Sequence, residues 1–242
     1  YQNIDTLQTV PSYRRTIKAA TLLFAGFWDL GKYEIGPVNT FYSFNNVEGF
    51  RLRFGGRTTT DLSNRFFFET YAAYGFKDEK WKYFLSGTYS LNKKSVYHFP
   101  LHYVRLSYQK DTKIPGQELQ FVQEDNFLLS FKRGENNRWL YNDIYKAEYI
   151  KEFENHLSYK IGYTNWKQHP AGVLEYKRFT ENGEPIIDPS LTTSEMNFEL
   201  RYAPNEQFYQ GKLYRTPIIN KYPIITLRYN AGLKGILNGQ YN

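Results

Sequence analysis

Between positions 80 and 91 the chain alternates strictly between two chemistries. Trp81, Tyr83, Leu85, Gly87, Tyr89 and Leu91 fall on one side; Lys80, Lys82, Phe84, Ser86, Thr88 and Ser90 fall on the other. A second stretch sets Met196, Phe198, Leu200 and Tyr202 against Glu195, Asn197, Glu199 and Arg201. Side chains of a strand point alternately to opposite faces, so period two means one apolar and one polar face. Strands of soluble sandwiches run about 5–6 residues. These run long enough to cross a bilayer, which takes roughly 9–11 tilted residues.

Composition agrees with a membrane barrel once the hydropathy is read correctly. Mean hydropathy is −0.65, and no apolar run approaches the 18 or so residues of a membrane helix. That excludes helical spans but not a barrel, in which every second residue faces a polar lumen. Aromatic residues make up 19% of the 242 residues, with 23 Tyr and 19 Phe against one Met and no Cys. The absence of Cys removes disulfides and thiolate metal sites. The net charge of +7 is spread over strands and turns, without the clustered basic surface of a nucleic-acid binder. It reads either as surface charge that keeps the chain soluble, or as a basic lumen or basic rims against anionic headgroups.

Turn chemistry cuts the chain at even spacing. Strands are expected at 17–27, 32–44, 48–59, 64–76, 80–91, 100–110, 126–133, 138–153, 156–167, 172–179, 191–203 and 223–232. Residues 1–16 read as a lead-in; the basic-then-apolar stretch from Arg14 to Gly26 superficially resembles a secretory leader, but Ile17 to Phe27 reads as a first strand or a short amphipathic lead-in. Tight polar turns at 77–79, 92–94, 134–137 and 154–155 contrast with long connections at 111–125, 180–190 and 204–222. The fold class is therefore all-β: an antiparallel up-and-down transmembrane β-barrel over residues 17–242, with about 11–12 strands. Nothing after Gly239 reads as a strand that could pair back to the first, so closing strands are expected outside this segment.

The alternation also assigns sides. Charged residues are costly against hydrocarbon, so Arg51, Arg53, Arg57, Glu69, Lys82, Glu195, Glu199 and Arg201 form a lumen-facing ladder. Phe50, Leu52 and Phe54 then face lipid, as do Leu157, Tyr159, Ile161 and Tyr163. Trp28, Trp81, Trp139 and Trp166 lie near strand ends, the place of an interfacial aromatic girdle. The segment 138–153 fits neither face cleanly; it either projects past the rim or carries a bulge.

Catalytic constellations are thin. His102 and Ser107 are five apart on one strand, hence on opposite faces, and do not make a nucleophile–base pair. No His-x-His or His-Glu-x-x-His spacing offers a metal site. Neither a catalytic residue, a metal ligand nor a cofactor is expected. The Glu195, Asn197, Glu199 row reads as a salt-bridge network before it reads as a cation site. Arg51, Arg53 and Arg57 either bind an anion or inserted segment, or pair with Glu69 on the next strand. Gly55-Gly56 lacks the Lys-Ser/Thr and helix of a phosphate loop, and marks instead a bend or the close approach of another segment.

Three stretches carry a resemblance: Gly36-Pro37-Val38-Asn39-Thr40-Phe41-Tyr42-Ser43-Phe44-Asn45, then Val47 through Thr59 with its Arg53-Phe54-Gly55-Gly56-Arg57 core, and Ala73-Tyr74-Gly75-Phe76-Lys77-Asp78-Glu79-Lys80-Trp81. With Arg201-Tyr202-Ala203-Pro204-Asn205-Glu206 and Asn220-Lys221-Tyr222-Pro223, the chain resembles a Bacteroidetes outer-membrane family of unassigned function. In that family a carboxypeptidase-regulatory-like sandwich precedes a barrel distantly similar to the surface-antigen and assembly-factor superfamily. The resemblance implies bacterial outer-membrane location and barrel architecture, but no chemistry. The expected function is a non-enzymatic barrel for transport, or for assembly and insertion across the outer membrane. Its partners would be outer-membrane lipid and other outer-membrane or periplasmic proteins. The competing readings are a structural barrel engaging partners through 111–125 and 204–222, and a soluble carbohydrate-binding β-sandwich.

Overall fold

The computed structural model describes residue 16 and residues 26–115, 138–180 and 183–241. Its strands are β1 (Trp28–Asp29), β2 (Tyr33–Ile35), β3 (Tyr42–Asn45), β4 (Gly49–Thr58), β5 (Phe66–Gly75), β6 (Lys80–Ser90), β7 (His102–Lys113) and β8 (Arg138–Glu152). They continue as β9 (Leu157–Gly172), β10 (Tyr176–Phe179), β11 (Pro185–Asp188), β12 (Leu191–Tyr202), β13 (Phe208–Gln210), β14 (Arg215–Pro217) and β15 (Ile225–Gly232). One eleven-stranded sheet runs β1-β2-β4-β5-β6-β7-β8-β9-β12-β15, with β3 also paired to β4. Every pairing is antiparallel. β10–β11 and β13–β14 are separate hairpins.

Several expected elements change on the way to this sheet. The expected strand 32–44 is split into β2, a 3-10 turn at Val38–Thr40 and β3, because Pro37 has no N–H to give to a ladder. The connections 180–190 and 204–222 hold hairpin strands, where their turn-rich sequence reads as loop. β8 carries no bulge: its register is continuous with β9 from Arg138↔Gly172 to Glu152↔Ser158. β8 and β9 run 15 and 16 residues, but β7 pairs with β8 from Leu140 to Lys151, so the out-of-pattern charges Asp143 and Lys151 stand level with Lys110 and His102 rather than beyond the sheet. The expected strand 126–133, the turn 134–137 and residues 17–25 of the first strand lie outside the described residues.

The rows across the sheet separate cleanly by chemistry. One row joins Phe68, Gly87, Leu106, Ala147, Tyr163, Met196 and Ala231 through successive strand pairings. The adjacent row, one residue along, joins Glu69, Ser86, Ser107, Lys146, Thr164 and Glu195. The burial is inverted relative to a soluble domain. Phe54 and Leu106 are 63% and 61% exposed, whereas Lys82 and Glu48 are 1% and 0% exposed.

Gly55 and Gly56 mark close approach. A Cβ on Gly55 would stand 2.6 Å from the Thr70 carbonyl oxygen and the Tyr71 Cβ on β5, and one on Gly56 2.5 Å from the Glu34 carbonyl oxygen. Gly55→Ala is therefore expected to destabilise by about 1–3 kcal/mol, since backbone must move to admit the methyl. Denaturant titration of the folded chain measures it; an unchanged midpoint would show that β4 and β5 can separate freely.

Candidate functional site

At the sheet end carrying the tight turn 76–79, five ionised side chains are buried together. Lys82 Nζ lies 2.7 Å from Glu48 Oε1 and 2.7 Å from Asp78 Oδ2. Arg51 Nη1 lies 3.3 Å from Glu48 Oε2 and 2.9 Å from Asp111 Oδ1, and its Nη2 donates to Asp111 Oδ2 at 2.9 Å. Asp111 also accepts from the Tyr71 hydroxyl and, at 2.7 Å, from the Thr112 amide. Tyr71 in turn accepts from Gln109 Nε2 at 2.8 Å, and Tyr141 donates to Asp78 Oδ2 at 3.1 Å. The network thus ties β4, β5, β6, β7 and β8 together.

Local structure explains how these groups reach one place. Asn45 folds the turn before β4: its Oδ1 accepts from the amides of Val47 at 3.1 Å and Glu48 at 2.8 Å, and its Nδ2 holds Glu48 Oε2 at 2.7 Å. That is the backbone-mimicking use of an Asn side chain in turns. The neighbouring turn is tied to it by Lys77, whose amide donates to the Glu48 carbonyl at 2.8 Å. Gly75 leaves the room: a Cβ there would collide with Asp78 Oδ1 and stand 2.7 Å from Lys82 Nζ. Burying charges is costly unless each is paired and hydrogen-bonded, and here each carboxylate has at least two partners.

The opposite end of the polar face is closed by apolar packing. Leu213, at the tip of the β13–β14 hairpin, packs with Phe67, Val96 and Tyr103. Tyr97 adds an edge-on contact with Phe67 at 5.4 Å, and burial pushes its phenol up to about 12. The hairpin is latched beside its turn by Arg215 Nη1 to Glu152 Oε2 at 2.7 Å and within the turn by Lys212 Nζ to Asp61 Oδ2 at 2.8 Å. Since Glu152 ends β8 and Asp61 lies between β4 and β5, the hairpin spans several strands. Between the two closures lies a cavity of about 190 Å³, lined by Glu69, Ser86, Arg105, Ser107, Lys146 and Glu148 among others.

The expected ladder residues share the polar face but form no single site. Arg51 and Lys82 enter the buried cluster. Arg57 pairs at 2.7 Å with Glu34, its register partner on β2, rather than with Glu69, its register partner on β5. Arg53 stacks on the Tyr71 ring at 3.8 Å. Glu199 pairs with Arg228 at 2.6 Å and Arg201 with Glu206 at 2.6 Å, while Glu195 stands opposite Thr164 and Gly232. Glu48, Asp78 and Asp111, the carboxylates that organise the cluster, are absent from the sequence-derived ladder.

The tryptophans divide. Trp28 and Trp81 are 59% and 63% exposed, and Trp81 lies 5.1 Å from Tyr74 on the apolar face. Trp166 departs from the expected girdle: its Nε1 donates to the buried Asn142 Oδ1 at 2.8 Å, on the polar side. Trp139 departs as well, being 1% exposed. Position near a strand end was the only signal used for either, and it carries no information about side.

Chemically the cluster is a wedge of saturated ion pairs, and among the described residues no group of three His, Cys, Asp or Glu is placed to hold a metal. No helix among the described residues is long and apolar enough to cross a membrane, a fact silent on strands. No curated protein and no solved structure matches the chain. One family does, over residues 29–242: the C-terminal domain of a family of unknown function, DUF5686. The match spans nearly all of the sheet, both closures of the polar face and the buried cluster, and the chain belongs to that family.

Proposed function

We propose that this chain forms the wall of an outer-membrane β-barrel that serves transport, or assembly and insertion across that membrane, without catalysis. The observation that carries the reading is the inverted burial: Phe54 and Leu106 exposed on one face, Lys82, Glu48 and Arg51 buried on the other. A water-soluble sheet buries its apolar face; a barrel in lipid exposes it. The spacing of polar groups on that outer face supports the reading. On β7, His102 and Lys110 border a run of Val104, Leu106 and Tyr108 on the same face. Eight residues at about 3.4 Å, tilted by roughly 40°, span about 21 Å along the membrane normal, near the ~25 Å apolar band of such barrels. The resemblance to Bacteroidetes outer-membrane proteins points to the same compartment.

In this reading the polar face is the lumen, and the β13–β14 hairpin is its removable stopper. Arg215→Ala removes the latch to Glu152 and is expected to raise single-channel conductance in planar bilayers well above that of the unsubstituted chain. Heat-modifiable gel mobility and retention in membranes should be unchanged by it. A chain that stays soluble and folded in detergent-free buffer overturns the barrel; equal conductance with and without the latch overturns the stopper.

A further inference from the structure

The apolar face is not a uniform surface. It holds a groove of about 660 Å³, within the range of about 300–1,000 Å³ that small-molecule sites use. Its floor is laid by small residues, Gly87 and Ala147, which alternate with Leu106 in the same cross-strand row. Phe68, Tyr108, Tyr145 and Tyr163 stand around it. Tyr108 and Tyr145 stack with ring centroids 4.4 Å apart, and Tyr83 lies 5.6 Å from Tyr108, so the wall toward one rim is a cluster of three phenols.

Directly beyond Tyr108 and Tyr145, level with Tyr83, the register sets a charged row. Lys110 pairs with Asp143 across β7–β8, and Asp143 with Lys167 across β8–β9. Asp143 Oδ1 accepts from the Tyr108 hydroxyl at 3.2 Å, which ties the single carboxylate of the row back to the groove wall. Two amines and one engaged carboxylate leave the row with a positive surplus. Lys110 lies four residues beyond Leu106, about 14 Å along the strand and roughly 10 Å along the normal after tilt. That is close to half the thickness of the apolar band, so a groove at mid-membrane sits under amines at headgroup depth.

We infer that this groove is a binding site for the acyl chain of an anionic, phosphate-bearing lipid whose headgroup is held by Lys110 and Lys167. The inference rests on the barrel reading and adds a ligand to its outer wall. Apolar chains find in the groove the contacts that a flat barrel wall lacks, and the two amines select charge, as basic pockets beside membrane spans do. Tyr83, Tyr108 and Tyr145 supply hydroxyls at the glycerol level, the amphipathic role of interfacial tyrosines.

The test uses the chain within its full-length protein, in nanodiscs of equal phosphatidylglycerol and phosphatidylcholine, followed by native mass spectrometry of the lipid retained after detergent extraction. The unsubstituted chain is expected to keep one phosphatidylglycerol in preference to phosphatidylcholine. Lys110→Gln with Lys167→Gln should lower that preference by roughly 25-fold, about fivefold per lysine. Ala147→Phe fills the floor and should abolish retention of either lipid. Heat-modifiable mobility is read on the same samples. Insertion with equal retention of the two lipids, with undiminished selectivity in the lysine variant, or with a retained polypeptide in place of lipid overturns the groove alone. Failure of the unsubstituted chain to insert overturns the barrel and the groove together.

Discussion

Arg51→Ala is expected to destabilise the fold by about 3–5 kcal/mol, the usual cost of leaving a buried charge without its partner. Arg51 is 5% exposed and stands between two carboxylates, Glu48 and Asp111. Truncation leaves Glu48 with Lys82 and Asn45, but removes both guanidinium contacts from Asp111. Asp111 then keeps only the Tyr71 hydroxyl and the Thr112 amide, which cannot neutralise it. The measurement is guanidinium unfolding in detergent, followed by tryptophan emission. Arg51→Leu combined with Asp111→Leu should recover much of the loss, because replacing a whole buried pair by apolar groups is often close to neutral. If the double variant is as unstable as Arg51→Ala, packing rather than the stranded charge sets the cost. If Arg51→Ala costs under about 1 kcal/mol, the cluster is hydrated and behaves as a surface ion pair.

The two faces of this sheet are legible in the sequence because period two is a local property: Trp81 to Leu91 and Met196 to Tyr202 declare their sides without knowledge of any neighbour. The cluster was less legible for a physical reason. Lys82 is visible as a polar-face residue, but Glu48 and Asp78 sit in tight turns, where acidic residues are ordinary turn formers. Asp111 lies one residue past the last β6–β7 pair, Tyr83↔Lys110, and sequence alone ends that strand one residue earlier, at Lys110. Only the register that sets Arg51 opposite Gly75 brings the two turns to one end. The trace such a cluster leaves in sequence is Gly75, a residue without a side chain where the alternation asks for a polar one.

The β13–β14 hairpin was hidden differently. Residues 204–222 are punctuated by Pro204, Asn205, Gly211, Pro217 and Asn220 and read as a long loop. Strands of three residues are too short to show a period. What fixes the hairpin is distant: Glu152 on β8, Asp61 between β4 and β5, and the apolar cluster at Phe67. Contacts of this kind carry no local signature. The same holds for the groove, which depends on Gly87 and Ala147 being neighbours of Leu106 on either side.

Leu106→Arg against Ser107→Arg discriminates most sharply between a sheet in lipid and a sheet in water. The two positions are adjacent on β7, one residue apart in depth, and differ otherwise only in face. Leu106 is 61% exposed on the apolar face, so in water Arg there is a surface substitution worth within about 0.5 kcal/mol. In a bilayer the same residue sits near the midplane, where Arg on the lipid face of a barrel costs about 2–4 kcal/mol. Ser107 faces the cavity of about 190 Å³ beside Glu69 and Glu148, where a guanidinium can find a carboxylate partner, and its substitution is expected to be mild. Folding into lipid vesicles, followed by denaturant titration, should give a loss for Leu106→Arg that exceeds the loss for Ser107→Arg by about 2 kcal/mol or more. Equal losses, or a larger loss at Ser107, would reverse the assignment of faces. Because both variants carry the same new charge at depths one residue apart, effects of net charge and of expression cancel between them, and the difference reports on the solvent that each face meets.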